Sequence, residues 1–84
     1  MKYALFYTKK AVDGTKKLDS LTKKRIGKKL LEYKKRPLKY AVKLTDFKIG
    51  SYRFRIGDYR VVFDLKKSKI VVLKVGHRKD IYKR

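Results

Sequence analysis

The sequence has no cysteine and no tryptophan, and it has only one proline, one histidine and seven acidic residues among 84. Without cysteine, disulfides and thiolate zinc sites are excluded. The seven acids are scattered without metal-ligand spacing, so we expect no metal and no other cofactor. No apolar run approaches the ~20 residues that a membrane span needs, and the run at residues 3–7 is too short for a secretory signal. We therefore expect a cytoplasmic protein.

Positive charge is what the sequence has in abundance, because 27 Lys and Arg give it a net charge of +20. Residues 1–36 carry 13 of these cations and 3 acids, and residues 37–84 carry 14 and 4, so each part has a net charge of +10. Such a charge attracts nucleic acid, an anionic membrane or an acidic protein. Five of the seven arginines lie between positions 53 and 84. Because arginine makes planar, bidentate contacts with phosphate, we expect the functional site in the C-terminal part.

The length predicts one domain, residues 1–84, with a small core. Hydrophobic residues make up 43% of the chain, which favours a compact fold over disorder. We expect a first strand at residues 2–7. Thr8 then caps a helix that ends near position 18, and Asp19 or Ser20 caps a second helix that ends near position 35. Pro37 ends this second helix.

Three more strands are predicted at about residues 50–56, 59–65 and 69–75, after a polar connection with a short strand at residues 42–44. The segment from Ile70 to Leu73 is apolar throughout, which predicts a central strand that is buried on both faces. Gly76 ends it, and a short tail follows. The predicted fold class is α+β in the order β-α-α-β-β-β, an antiparallel-rich sheet with an N-terminal helical hairpin packed on one face.

The second and third of the four long strands form a tight hairpin, because Gly57-Asp58 suits a two-residue loop that needs a positive φ. Side chains alternate between the faces of a strand, which sets Arg55 directly across from Arg60. Like charges in this position destabilise a sheet, so the pair indicates a polyanionic ligand. The register predicts four pairs: Ile56 with Tyr59, Arg55 with Arg60, Phe54 with Val61, and Tyr52 with Phe63.

The other face of this hairpin is aromatic, and we place four of its rings in the core: Tyr52, Phe54, Tyr59 and Phe63. Core rings are poor platforms for base stacking. Of the acids nearby, Asp58 is expected to serve the turn, and Asp64 is expected to pair with an adjacent cation.

The last 35 residues also contain a two-part pattern: Gly50-x-Tyr52-Arg53-x-Arg55-x-Gly57-Asp58-Tyr59-Arg60-Val61-x-Phe63, then Val75-Gly76-His77-Arg78-x-x-x-Tyr82. It resembles the signature of RelE-type toxins of the RelE/ParE superfamily, and the order of elements is similar over the whole chain. The resemblance implies a small basic toxin paired with an antitoxin. In that superfamily, the RelE branch cleaves mRNA in the ribosomal A site, whereas the ParE branch poisons DNA gyrase and lacks the nuclease residues.

The resemblance also implies roles for individual residues. Arg60 matches the family's phosphate-binding arginine, Arg78 its second catalytic arginine, and Tyr82 the tyrosine that stacks on the substrate base. Arg53 and Arg55 fall where the type member has two lysines, and we assign them to substrate binding. Since arginine stays protonated, these two side chains bind phosphate but do not act as bases. Tyr82 is therefore the candidate proton acceptor.

Two further residues are assigned to substrate binding, His77 and Lys48. His77 is the only histidine, which excludes a nuclease with a histidine pair, and a structural role for it stays open.

The chemistry implied by the resemblance needs no metal. The 2′-hydroxyl of RNA attacks the adjacent phosphate, and fixed cations stabilise the negative charge that develops. The expected function is a metal-independent, ribosome-dependent endoribonuclease toxin. Two alternatives stay open: a ParE-like gyrase inhibitor without nuclease activity, and a non-catalytic protein that binds RNA or the ribosome. The expected partners are an acidic antitoxin, in a toxin–antitoxin heterotetramer, and a 70S-type ribosome with its mRNA. No membrane partner is expected.

Overall fold

A computed structural model of the chain describes residues 3–45 and 48–82. Within these residues it contains three helices and five strands in one sheet. In chain order the elements are β1 Ala4–Tyr7, α1 Lys9–Lys16, α2 Ser20–Tyr33, α3 Pro37–Tyr40, β2 Val42–Lys43, β3 Tyr52–Ile56, β4 Tyr59–Lys66 and β5 Lys69–His77. The predicted α+β class is confirmed, with α3 as an addition. Among the described residues, the helices are too short and too polar to span a bilayer.

Both long helices begin at the residues that the sequence indicated. The Thr8 hydroxyl accepts a hydrogen bond from the backbone N–H of Ala11 at 3.2 Å, and the Asp19 carboxylate accepts one from Thr22 at 3.2 Å. Of the two caps proposed for the second helix, Asp19 is the one used. These oxygens satisfy N–H groups that the first turn of a helix leaves unpaired.

Pro37 has a different role from the one predicted. The second helix ends at Tyr33, and Pro37 is the first residue of α3. Proline suits this position because the first N–H of a helix has no intrahelical partner. The ring of Tyr40 at the end of α3 stacks on Tyr33 with 4.2 Å between ring centroids. The short helix is therefore held against α2 by an aromatic contact that local sequence rules do not reveal.

The sheet has the strand order β1-β5-β4-β3-β2. Strand β1 pairs with β5 in parallel, and the other pairs are antiparallel. All four predicted pairs of the β3–β4 hairpin are present, with Gly57 at φ 60° in its loop. The alternation of the strands gives the sheet two faces. One carries Phe54 and Phe63 and is called the aromatic face; the other carries Arg53 and Arg60 and is called the arginine face.

Strand β5 has a neighbour on each side, β1 and β4, as expected of a central strand, but the expected burial of Ile70 to Leu73 on both faces is wrong. Four consecutive residues of β4, Arg60 to Phe63, are buried, whereas Val71 and Leu73 of β5 are only half-buried. An apolar run thus indicates an interior strand but not how completely each of its faces is covered. Strand β5 also continues through Gly76 to His77, because β4 pairs with it up to that residue.

The hydrophobic core lies between the aromatic face and the helices. Ile26 and Leu30 of α2 belong to the same buried cluster as Phe54 and Phe63, whose rings stack at 4.3 Å. Tyr52 and Tyr59 pack partly buried against this cluster, which confirms the placement of the four rings.

Two close approaches explain why glycine occurs where it does. A Cβ on Gly14 of α1 would lie 2.5 Å from the carbonyl oxygen of Val75, so α1 can sit on β5 only without a side chain there. A Cβ on Gly50 would lie 2.5 Å from the side chain of Val62. The segment before β3 therefore crosses the arginine face directly over β4, and this accounts for burial of Val62 on that side.

Candidate functional site

The candidate site is a surface cavity of about 530 Å³ on the arginine face. We call it the arginine cavity, and it is lined by Arg53, Arg60, Arg78, Lys79 and Tyr82. Arg53 comes from β3 and Arg60 from β4, and the other three follow β5. The cavity thus brings together four of the residues singled out in the sequence from positions up to 29 residues apart.

Arg60 forms the floor of the cavity and is only 6% exposed. Its guanidinium donates hydrogen bonds to the carbonyl oxygens of Gly57 at 3.0 Å and Tyr59 at 2.9 Å. Among the described residues, no carboxylate lies within ion-pair distance of it. The charge is therefore held by neutral carbonyls in a poorly solvated place. Buried charges are normally paired, so this arrangement favours an anionic ligand.

The electrostatics of Arg60 point the same way. Burial lowers the pKa of Arg60 from its usual range, and the positive charges of Arg55 and Arg53 lower it further. Tyr82 acts in the opposite direction, and Arg78 adds to the lowering. Arginine nevertheless stays protonated in proteins, so the result is a cation destabilised by its surroundings. A bound phosphate would relieve both the repulsion and the loss of hydration.

The segment that closes the cavity, residues 78–82, is fixed to the hairpin loop and to the end of β5. The N–H of Arg78 donates to the carbonyl of Asp58 at 2.7 Å, and the N–H of Ile81 donates to the carbonyl of His77 at 2.9 Å. The Ile81 side chain is buried, and a Cβ on Gly76 would lie 3.5 Å from it. These contacts hold Arg78 and Tyr82 beside Arg60.

Asp58 contributes more than the expected turn. Besides accepting the Arg78 N–H, its carboxylate lies 3.7 Å from the Nε of Arg78. Both side chains are more than half exposed, so this ion pair adds little stability.

Asp64 was expected to pair with an adjacent cation, but its carboxylate instead accepts two hydrogen bonds from Ser51. The backbone N–H of Ser51 donates at 2.9 Å, and the Ser51 hydroxyl donates at 2.8 Å. Asp64 anchors the segment that crosses β4.

Three assigned residues lie outside the arginine cavity. Arg55 is exposed opposite Arg60, and its positive charge helps to lower the pKa of Arg60. His77 lies on the aromatic face, where its ring meets Tyr59 edge-on at 5.4 Å and its Nδ1 accepts the N–H of Lys79 at 3.1 Å. Lys48 lines a neighbouring groove, to which Tyr82 also contributes.

Lys79 is a cavity residue that the sequence reading did not single out. Its position next to Arg78 was the available signal, because a turn directly after a strand exposes successive side chains. In the described part of the chain, no group of three His, Asp or Glu residues is arranged to hold a metal ion.

A family model described as the ParE toxin of the type II toxin–antitoxin system parDE matches residues 5–82. No curated protein matches the chain significantly in sequence.

Three solved structures are similar in fold. A chain of the RelBE2 toxin–antitoxin complex from Mycobacterium tuberculosis is 22% identical, with a TM-score of 0.84 over 93% of this chain and 100% of its own. A chain of the archaeal RelE–RelB complex from Pyrococcus horikoshii OT3 is 26% identical, with a TM-score of 0.72 over 95% and 99%. A chain of the intact RelBE toxin–antitoxin complex of E. coli is 23% identical, with a TM-score of 0.62 over 89% and 95%.

The match of the family model spans nearly the whole chain, and the fold is similar to those of the matched chains over most of their length. The protein therefore belongs to the RelE/ParE superfamily and is a toxin of a type II toxin–antitoxin system.

Proposed function

We propose that this toxin is a metal-independent, ribosome-dependent endoribonuclease that cleaves mRNA in the A site and so inhibits translation in the cytoplasm. The observation that carries the proposal is the arginine cavity, in which a buried cation with no acidic partner in the described part of the chain lies next to two more arginines and an exposed tyrosine. A protein that only needed to fold would not keep Arg60 there, because an unpaired buried charge is costly.

The scissile phosphate would bind to Arg60, with Arg53 and Arg78 on either side. In the reaction, the 2′-oxygen forms a bond to phosphorus and the bond from phosphorus to the 5′-oxygen breaks, which leaves a 2′,3′-cyclic phosphate and a 5′-hydroxyl. The three guanidinium groups are positioned before the negative charge of the pentacoordinate state develops. Cations fixed in a poorly solvated site stabilise such charge more than mobile solvent does.

A proton must leave the 2′-hydroxyl, and one must reach the departing 5′-oxygen. Three of the five side chains that line the cavity are arginines, which do not accept protons. Tyr82 and Lys79 remain, and we assign the proton acceptor to Tyr82. It is 43% exposed and therefore accessible to a substrate base as well.

The partner that restrains this activity is proposed to be an acidic antitoxin, since the similar folds are chains of complexes with an antitoxin. A net charge of +20 fits such a partner and its assembly into a toxin–antitoxin heterotetramer.

Inhibition of DNA gyrase is the second candidate function, because the matching family model is described as a ParE toxin. Against it stand Arg78 and Tyr82, which the ParE branch usually lacks and which line the cavity here. Simple RNA or ribosome binding without cleavage is the third.

Primer extension on an mRNA translated in vitro separates these functions. We expect new 3′ ends at ribosome-bound codons with the wild-type toxin, and a loss of about 100-fold in cleavage rate with Arg78→Ala, as for removal of a fixed group that stabilises developing charge. Arg36→Ala is the matched control, because it removes the same charge from an exposed arginine before α3 and should cleave normally. Intact mRNA with trapped gyrase–DNA complexes would replace the proposal by the second function. Intact mRNA with salt-sensitive ribosome binding would replace it by the third.

A further inference from the structure

A larger groove of about 1070 Å³ lies beside the arginine cavity, and Tyr82 lines both. We call it the lysine groove. Its cations come from three separate parts of the chain: Lys10 in α1, Lys48 before β3 and Lys74 in β5. Its accessible apolar lining comes from Leu44, Ile49 and Leu73. We propose that the lysine groove binds the single-stranded RNA next to the nucleotide held in the arginine cavity. This inference rests on the proposed function for the assignment of the arginine cavity.

Charge is the first argument. None of the described residues that line the groove is acidic. Lys74 is half-buried on the arginine face, and burial, followed by the charge of Lys10, lowers its pKa from the usual value. Two lysines are thus held close enough to repel each other across a concave surface. Such a surface attracts a chain of successive phosphates, whose charges offset this repulsion.

The apolar lining is the second argument. Leu44, Ile49 and Leu73 are half-buried and give the groove a surface with no charge of its own, flanked by the lysines. Unpaired bases have flat apolar faces on one side of a charged backbone, whereas a double helix hides them. The combination of apolar surface and cations therefore fits a single strand.

An acidic peptide would also match the charge and the apolar lining of the groove. The groove is, however, continuous with the arginine cavity, and this favours RNA. Tyr82 forms a wall of both cavities, so a strand with one phosphate at Arg60 continues directly into the groove past this ring. A base stacked on Tyr82 would mark the junction. The groove then gives the toxin affinity for nucleotides that flank the cleaved bond.

The test uses the full-length toxin and a fluorescein-labelled 2′-O-methyl RNA hexanucleotide, which lacks the attacking hydroxyl and so cannot be cleaved. Binding is followed by fluorescence anisotropy between 50 and 200 mM KCl. The groove variant is Lys10→Gln with Lys74→Gln. Its matched control is Lys24→Gln with Lys28→Gln, which removes the same charge from two exposed positions of α2, on the helical side of the sheet.

Two lost phosphate contacts should make the slope of log K against log salt shallower by about 1.4 in the groove variant. The loss of affinity between 50 and 200 mM should then be about sevenfold smaller than for wild type, while the control keeps the wild-type slope. Circular dichroism of both variants checks that they are folded.

Equal slopes in the groove variant and the control would overturn the inference. An acidic amphipathic peptide supplies a second comparison: if the groove variant loses peptide binding but keeps the RNA slope, the groove binds protein and the inference fails. Because the probe is not cleaved, a toxin that leaves mRNA intact on the ribosome overturns the proposed nuclease function without changing this readout.

Discussion

Replacing Arg60 by methionine should separate stability from activity. The guanidinium is 6% exposed and donates two hydrogen bonds, to Gly57 and Tyr59. Losing them costs about 1.5–3 kcal/mol each if they behave as typical bonds of charged groups. Against this, methionine removes the penalty of several kcal/mol for burying an ion and the repulsion from Arg53 and Arg55. The two effects nearly cancel, so we expect the free energy of unfolding to change by less than about 1 kcal/mol.

Activity should respond very differently to Arg60→Met. The group proposed to hold the scissile phosphate is removed, and loss of one preorganised donor typically lowers a rate by about 10²–10³. The ratio of the two effects is diagnostic, because a variant that unfolds would lose both stability and cleavage.

Thermal unfolding followed by circular dichroism measures the first effect, and primer extension measures the second. A change of 1 kcal/mol shifts the Tm of a domain of this size by about 4–8 °C. Inorganic phosphate at 100 times its Kd should stabilise the wild type by about 2.7 kcal/mol, compared with chloride at equal ionic strength. The Arg60→Met variant should lose most of this stabilisation.

Two results would refute the reasoning about Arg60. A loss of more than about 3 kcal/mol in the free energy of unfolding would show that the guanidinium is a structural element whose removal leaves the fold unsupported. Equal stabilisation of wild type and Arg60→Met by phosphate would show that the anion binds elsewhere.

Three other predictions follow from the contacts described above. Gly14→Ala should destabilise the protein by about 1–3 kcal/mol, because the new Cβ would meet a backbone carbonyl of β5. Gly27→Ala, with open space around it, should instead stabilise α2 by about 0.5–1 kcal/mol. Urea unfolding compares the two variants, and equal effects would contradict the close approach of α1 to β5. Hydrogen bonds with Thr22 lower the pKa of Asp19, so the contribution of Asp19 to folding stability is present above the unfolded pKa near 3.8 and is lost as pH falls through the lower folded value. The wild type should lose this stability in acid unfolding, whereas Asp19→Asn should not. Identical acid unfolding profiles would contradict the prediction. In cleavage assays, Tyr82→Phe should slow the reaction strongly and Lys79→Met only modestly, and the reverse order would move the proton acceptor to Lys79.

Local rules were sufficient for the β3–β4 hairpin and for the starts of both long helices. Gly57 reaches a positive φ without a steric penalty, and this fixes the two-residue loop and with it all four predicted pairs. Thr8 and Asp19 cap through their own side chains within three residues. Each of these features depends on atoms that are close in the sequence, so the sequence pattern is enough.

Prediction failed where distant segments meet. The apolar run in β5 was expected to be buried on both faces, but Val71 and Leu73 are only half-buried, whereas Val62 of β4 is buried where the chain before β3 crosses it at Gly50. Asp64 was expected to pair with a cation, yet it binds Ser51, thirteen positions earlier. Pro37 begins a helix whose Tyr40 stacks on Tyr33. None of these contacts has a periodic signature.

The sequence by itself determined that the chain is strongly basic, that its fold is α+β, and that Arg55 opposes Arg60 across a hairpin. These follow from composition, hydrophobic periodicity and turn chemistry. Only the tertiary structure decided that Arg60 is buried without an acidic partner among the described residues, that residues 78–82 close over it, and that Lys48 belongs to the neighbouring groove. The physical reason is that burial and cavity shape depend on which surfaces distant segments cover, whereas alternation along a strand assigns only a face.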